Sequence, residues 1–280
     1  MVTIFNGRKR QEEIFHELRK EIDILKHEKI IPKLAIIDAT NREASKIFIK
    51  QKISALERLG LMHELYELKE AIEEEILDLI ERLNENENVN GILVQLPLPS
   101  NIDTDKIVNR IDPLKDVDGL TATNLGKLMH GDETLAPCTP KAIIDILQSS
   151  KIEVEGKNVT IINNSIVVGK PLAIMLTNRF ATVTICHIKT ENLKQFTLSS
   201  EILITATGVA NLIKKDNVQE GAVVIDAGIT RMNDKVVGDV EFDSVKEKCS
   251  LITPVPGGVG PMTVAMVVVN LINCTKMQLK

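Results

Sequence analysis

Between residues 158 and 253 one rhythm repeats: a short apolar run rich in Val and Ile, a stretch of helical length, then another apolar run. The runs are NVTIIN (158–163), TVTICH (182–187), EILITAT (201–207), AVVIDAGI (222–229), KVVGDV (235–240) and SLIT (250–253), with residues 170–180 the clearest helix between them. A strand apolar on both sides must be covered on both faces, and joining parallel neighbours takes a crossover of about a dozen residues or more. The expected fold class is therefore α/β, with parallel sheets layered by helices.

The first half alternates less cleanly. Residues 10–26 place Ile14, Leu18, Ile22 and Leu25 on one helical face, KLAIID (33–38) is a short strand, and residues 44–59 return to helical spacing before Gly60. Leu68, Ile72, Ile76, Ile80 and Leu83 predict one long acidic helix over residues 65–83, with Glu73, Glu74 and Glu75 on its solvated side. GILVQLP (91–97) reads as a buried strand, residues 103–110 as a short helix and 112–124 as a loop. Thr139 and Pro140 suit the cap and first position of a helix over 141–147.

A chain of 280 residues, 44% hydrophobic and 26% charged, accommodates one large or two medium domains. The break is expected near residues 124–137. A second crossing is expected before the last helix, 262–272, which has no remaining strand to pack on. A net charge of −5 and 2% aromatics argue against a nucleic-acid surface. Cys138, Cys186, Cys249 and Cys274 are far apart and form no metal-ligand spacing, so no metal is expected and the thiols suit a reducing compartment. The start does not resemble a signal peptide, and the longest apolar run, interrupted by Asn270, is short for a bilayer. A soluble cytoplasmic protein is expected.

Two loops invite ligands. ITPVPGGVGPMT (252–263) packs three prolines and three glycines into twelve residues between a strand and a helix. A tight connection and a shaped ligand loop both fit that composition. NNSIVVGKP (163–171) follows a strand where a phosphate-binding turn would lie, although the G-x-G-x-x-G pattern is absent and a plain connection fits as well. At the end of the next strand, where NAD sites carry an acid, the chain has His187 and Lys189, which favours NADP; ordinary strand-end polarity is the plainer reading. Phe48 and Lys52 share a helix face, Gln95 interrupts an apolar strand, and Asp116 and Asp118 sit in KDVDG. Taken singly, each is an ordinary residue.

Taken in order, ASKIFIKQK, GILVQLPLPSNID, DPLKDVDGLTATNLGKL, PCTPKAI, VVGKPLA, VVIDAGI, KVVGDV and ITPVPGGVGPMTVAM resemble the bifunctional methylenetetrahydrofolate dehydrogenase/methenyltetrahydrofolate cyclohydrolases over nearly the whole chain. The resemblance implies two α/β domains with a cleft between them, the C-terminal one a Rossmann-like NADP-binding domain, and a homodimer. The expected boundaries are 1–130 plus 262–280 for the folate domain and 131–261 for the NADP domain. It implies catalytic roles for Lys52, Gln95 and Asp118, substrate contacts from these three with Phe48, Pro256 and Gly257, and cofactor contacts from Asn163, Asn164, Ser165, Thr207, Gly208 and Ile229. A basic residue that some members carry in the cofactor loop is absent, so His187 or Lys189 is expected to take the 2′-phosphate. The expected activity is oxidation of methylenetetrahydrofolate with NADP, then hydrolysis of the methenyl product to the formyl compound.

Two departures qualify this. Phe48 stands where the family usually has Tyr, so a dehydrogenase with weak cyclohydrolase is an alternative; a non-catalytic nucleotide-binding regulator is another. Asn163 stands where the family's G-x-S has Gly, and Asn tolerates positive φ better than most residues. Ser165 is expected to remain available to the cofactor.

Overall fold

The structure is a computed structural model describing residues 2–40, 43–69, 72–233 and 235–279, with the side chains of Glu43 and Ala44 outside the description. Elements are numbered in chain order. Two compact units divide the chain: residues 2–12 with Thr139–Thr263, and Glu13–Cys138 with residues 264–279. The passage between them falls within three helices, α1 (Gly7–His27), α6 (Cys138–Ser149) and α10 (Val259–Gln278).

The unit containing Thr139–Thr263 is built on a parallel six-stranded sheet of order β1-β11-β8-β7-β5-β6. Its strands are β1 (Thr3–Ile4), β5 (Asn158–Ile162), β6 (Thr182–Cys186), β7 (Ile202–Thr205), β8 (Val223–Asp226) and β11 (Leu251–Ile252). Every residue of the interior strands β7 and β8 is buried, which is why each is apolar up to its last residue, Thr205 or Asp226, whereas the edge strand β6 is half exposed. The helices α7 (Gly169–Thr177) and α8 (Leu193–Leu198) are its crossovers. Ile162, Leu203, Val224 and Ile252 from four of the strands join one apolar cluster.

Two expectations change here. The first residues belong to this unit, because Thr3 and Ile4 pair with Leu251 and Ile252; a strand of two residues is too short to carry a periodic signal. KVVGDV supplies no strand of the six-stranded sheet. Its first residues, β10 (Lys235–Val237), pair antiparallel with β9 (Thr230–Met232), a hairpin that leaves Met232 and Val236 exposed. Asn233, with φ of 48°, turns between them.

The other unit carries a parallel three-stranded sheet of order β3-β2-β4, from β2 (Lys33–Asp38), β3 (Met62–Glu67) and β4 (Gly91–Val94). It also holds α2 (Glu43–Arg58), α3 (Glu73–Glu85), α4 (Thr104–Val108) and α5 (Ala122–Met129). The expected long helix over 65–83 is two elements. Residues up to Glu67 pair with β2 in register, Lys33 opposite Met62 through Asp38 opposite Glu67. As an edge strand β3 alternates polar and half-buried side chains, and the charges meet a neighbour: Lys33 Nζ lies 2.8 Å from Glu64. The helix begins only at Glu73, burying Ile76, Leu79, Ile80 and Leu83 but leaving Ile72 exposed. Tyr66 is accordingly a strand residue.

The final helix exceeds the expected run. By length and composition the 20 residues of α10 could cross a membrane, but 67% of its most apolar window is buried within the protein. Asn270 is satisfied there: its Nδ2 donates to the carbonyls of Val117 (2.8 Å) and Ala136 (3.0 Å). Thr139 is not a cap, since α6 already begins at Cys138. All four cysteines are buried and free, and burial pushes the Cys249 thiol up to about 12, far from a reactive thiolate.

Candidate active site and cofactor site

Lys52 sits on α2 one turn after Phe48 and is 92% buried, unusual for an ammonium. Its Nζ donates to Gln95 Oε1 at 3.0 Å. Gln95 is the first residue past β4. Its backbone N–H donates to Ile37 O at 2.9 Å, extending the sheet, and its Nε2 donates to Leu96 O at 2.9 Å. With the amide nitrogen committed, the carbonyl oxygen is turned toward the ammonium. Among the described residues Lys52 has no second hydrogen-bond partner, so two of its three donors remain for water or substrate.

The two aspartates of KDVDG divide the labour. Asp116 forms a parallel bridge with Ile92 of β4 and is 99% buried. Its carboxylate accepts the N–H groups of Gly119 (2.9 Å) and Thr121 (2.8 Å) and Asn124 Nδ2 (3.0 Å), while burial pushes its pKa up. Lys115 anchors the other side, donating to the carbonyls of Leu83, Asn84 and Asn86 at the end of α3; burial lowers its pKa. Gly119 has φ of 68°, and a Cβ there would overlap the Leu135 carbonyl. Asp118 is thus held between fixed neighbours at the C-terminal edge of the sheet, the edge that carries Gln95. It is half-buried, and its carboxylate has no hydrogen bond or ion pair among the described residues. The first aspartate builds the loop; the second is free to bind. The sequence left Asp116 an ordinary residue, and only its bonds reveal the anchor.

Phe48 is half-buried. The sole tyrosine does not replace its missing hydroxyl, because Tyr66 donates to Glu64 Oε2 at 2.6 Å. Pro256 and Gly257 belong to the other unit, where the Gly257 carbonyl accepts the Gly7 N–H at 2.9 Å.

In the six-stranded sheet every cofactor candidate follows the C-terminal end of a parallel strand. Asn163, Asn164 and Ser165 follow β5, His187 and Lys189 follow β6, Thr207 and Gly208 follow β7, and Ile229 follows β8. The chain leaves β5 for β6 on one side and reaches β7 on the other, so the strand order reverses at β5. A doubly wound sheet binds dinucleotides at that reversal. Asn163 does not use the positive φ that Asn tolerates; its side chain enters the turn instead. The Ser165 hydroxyl is engaged, donating to Asn163 Oδ1 (2.7 Å) and accepting from Val168 N–H (3.1 Å). After β6, His187 Nδ1 accepts the Lys189 N–H at 3.1 Å, so in the neutral ring the proton lies on Nε2.

A pair of buried aspartates beneath these turns escaped the sequence reading, since VVID and GDV resemble strand-end turns. Asp239 accepts the Thr205 hydroxyl (2.7 Å) and the N–H groups of Thr207 (2.6 Å) and Val209 (3.0 Å). Asp226 accepts the N–H groups of Gly228, Asp239 and Val240. Burial, with the charge of Asp239 beside it, pushes the Asp226 carboxyl up to about 7. An acid with a raised folded pKa holds its proton more tightly in the native state. Its contribution to stability is full below the ordinary carboxylate range, near pH ~4, and is lost as pH rises through about 7. Urea unfolding at pH 5 and pH 7 should show wild-type stability falling more steeply with pH than that of Asp226→Asn, by up to ~1.4 kcal/mol per pH unit. Parallel slopes would contradict this.

A dinucleotide-type α/β unit joined to a second α/β unit, in which a buried lysine bonds a glutamine, is the architecture of a two-domain nucleotide-binding enzyme. Residues 137–279 match the family model for the tetrahydrofolate dehydrogenase/cyclohydrolase NAD(P)-binding domain, and residues 5–118 match that for the catalytic domain. The chain belongs to the tetrahydrofolate dehydrogenase/cyclohydrolase family. It is 45% identical over 277 residues to a bifunctional protein FolD of Nautilia profundicola, covering 98% of each chain. The crystal structure of the bifunctional enzyme FolD from Campylobacter jejuni superposes with TM-score 0.96 at 42% identity, covering 99% of this chain and 100% of that one. A Trypanosoma brucei methylenetetrahydrofolate dehydrogenase-cyclohydrolase, solved with NADP cofactor and inhibitor, gives TM-score 0.96 at 33% identity, covering 100% and 99%.

Proposed function

We propose that this chain oxidises methylenetetrahydrofolate with NADP and hydrolyses the methenyl product to the formyl compound, with Lys52, Gln95 and Asp118 as its working groups. The Lys52–Gln95 hydrogen bond carries the reading, because it presents an ammonium with free donors on a fixed amide. When bound, NADP accepts the hydride from the bridging carbon of the folate. Asp118 accepts parallel hydrogen bonds from the pterin's amino group and ring N–H, fixing the ring. Phe48 packs against the substrate. In the second step Lys52 orients the water that adds to the cationic carbon and serves the proton transfers that open the ring, while Gln95 holds its ammonium in place.

Because the Lys52–Gln95 contact forms without a tyrosine, Phe48→Tyr should change the cyclohydrolase kcat by less than ~10-fold, a small fraction of what a general acid–base group contributes. A larger rise, measured as loss of methenyl absorbance, would show that the hydroxyl limits this step.

The unit that matches the NAD(P)-binding family model has the residues to hold NADP: the turns after β5 and β7, with His187 and Lys189 at the 2′-phosphate end. The four residues directly after β6, His187 to Thr190, include no carboxylate to repel that phosphate, and His187 Nε2 is left as a donor. Initial rates with both nucleotides should favour NADP over NAD by at least ~10-fold in kcat/KM, the worth of one charge-assisted contact. A strong preference for NAD would refute these roles.

The same reading makes the protein a cytoplasmic homodimer acting on tetrahydrofolate one-carbon derivatives, with neither nucleic-acid nor membrane partners. The family resemblance and the acidic, aromatic-poor composition support it.

A further inference from the structure

One side chain joins the turn after β5 to the turn after β7. Asn163 Oδ1 accepts three donors within its own turn: the Ser165 N–H at 2.8 Å, the Ser165 hydroxyl at 2.7 Å and the Gly169 N–H at 3.0 Å. Its Nδ2 reaches out of the turn and donates to the Ala206 carbonyl at 2.6 Å. The receiving turn is itself fixed, since Asp239 holds Thr205, Thr207 and Val209 around Ala206. At the far end of the first turn Gly169 leaves no room for a Cβ, which would overlap the Asn163 carbonyl. These two turns flank the reversal in strand order, where a doubly wound sheet receives a dinucleotide.

The bonds decide which groups remain for a ligand. The N–H groups of Ser165 and Gly169 and the Ser165 hydroxyl are already bonded within the protein. The N–H groups of Ile166 and Val167 have no partner among the described residues. A glycine at position 163 could neither tie the turns nor fill the interior of the first one.

We propose that Asn163 is a positioning residue. It locks the turn after β5 to the turn after β7 and so fixes, before the cofactor arrives, the surface that takes the diphosphate of NADP, with the free amides of Ile166 and Val167 facing that anion. This rests on the NADP reading above.

Two variants separate the bridge from the bonds inside the turn. Asn163→Asp keeps the acceptors but loses the donor and sets an oxygen against the Ala206 carbonyl. Asn163→Ala loses all four bonds. Calorimetric titration with NADP should give a Kd at least ~10-fold above wild type for both. The increase should persist at high ionic strength, where simple repulsion between a new carboxylate and phosphate is screened. In the free protein, amides 163–169 and 206–209 should exchange hydrogen faster in both variants, while the rest of the sheet keeps wild-type protection. Wild-type affinity in Asn163→Asp, or unchanged exchange at 206–209, would overturn the proposal. Loss of protection throughout the sheet in both variants would also overturn it, by showing a role in holding the fold. A wild-type protein that binds no NADP would defeat the cofactor reading itself, and this inference with it.

Discussion

Replacing Lys52 with methionine should lower hydrolysis of the methenyl compound by at least ~100-fold, while NADP binds with wild-type affinity. Methionine keeps the unbranched apolar stem and most of the volume, so a site buried to 92% is not emptied. What disappears is the ammonium: the donor to Gln95 and the two donors left for water and substrate. General acid–base groups contribute about 10²–10⁴-fold, which sets the size of the loss. NADP binding is the control because its residues lie in the other unit. If hydrolysis survives within tenfold, Lys52 is not the working group. If NADP affinity falls in step with hydrolysis, the variant has disturbed more than its site.

Asp239→Ala should cripple the other half of the protein. It strips the acceptor from the Thr205 hydroxyl and from the N–H groups of Thr207 and Val209, beside a carboxylate that is fully buried. Of the three donors only the Thr205 hydroxyl is fully buried, and the Val209 N–H keeps the Thr207 hydroxyl at 3.1 Å, so the loss is close to that of one buried donor, about 2 kcal/mol. For a unit of this size that lowers the melting temperature by about 4–8 °C. Because Thr207 and Gly208 belong to the turn after β7, KM for NADP should rise by at least ~10-fold in protein that remains folded, the equivalent of ~1.4 kcal/mol. Thermal unfolding with and without NADP reads both effects. A melting temperature within about 2 °C of wild type would show that these donors find other partners.

The legible parts of the sequence were those where burial leaves a strong pattern. β2 was read to the residue, and β5, β7 and β8 to within a few, because interior parallel strands are apolar on both faces; the edge strand β6 was read as closely from its β-branched run TVTI. β3 was absorbed into a helix because an edge strand shows water one of its faces, and HELYE looks like acidic helix surface when its partner strand is unseen. Thr3–Ile4 was missed because two residues have no period. At the site, the resemblance pointed to Lys52, Gln95 and Asp118, and the structure adds their geometry: a hydrogen bond for the first two and an anchored loop for the third. Asp116, Asp226 and Asp239 stayed hidden because their function is to accept backbone N–H groups from turns, and sequence does not show where those turns close. At Asn163 the sequence offered only a tolerance of positive φ; the structure shows a side chain that bonds.

The most direct test supplies purified protein with methylenetetrahydrofolate and NADP and follows two signals, reduced cofactor and methenyl absorbance. The account predicts that reduced cofactor accumulates, and that methenyl absorbance, whether formed in the assay or added alone, decays at a rate that depends on Lys52. No reduced cofactor, or methenyl compound that decays no faster than in buffer, would contradict it.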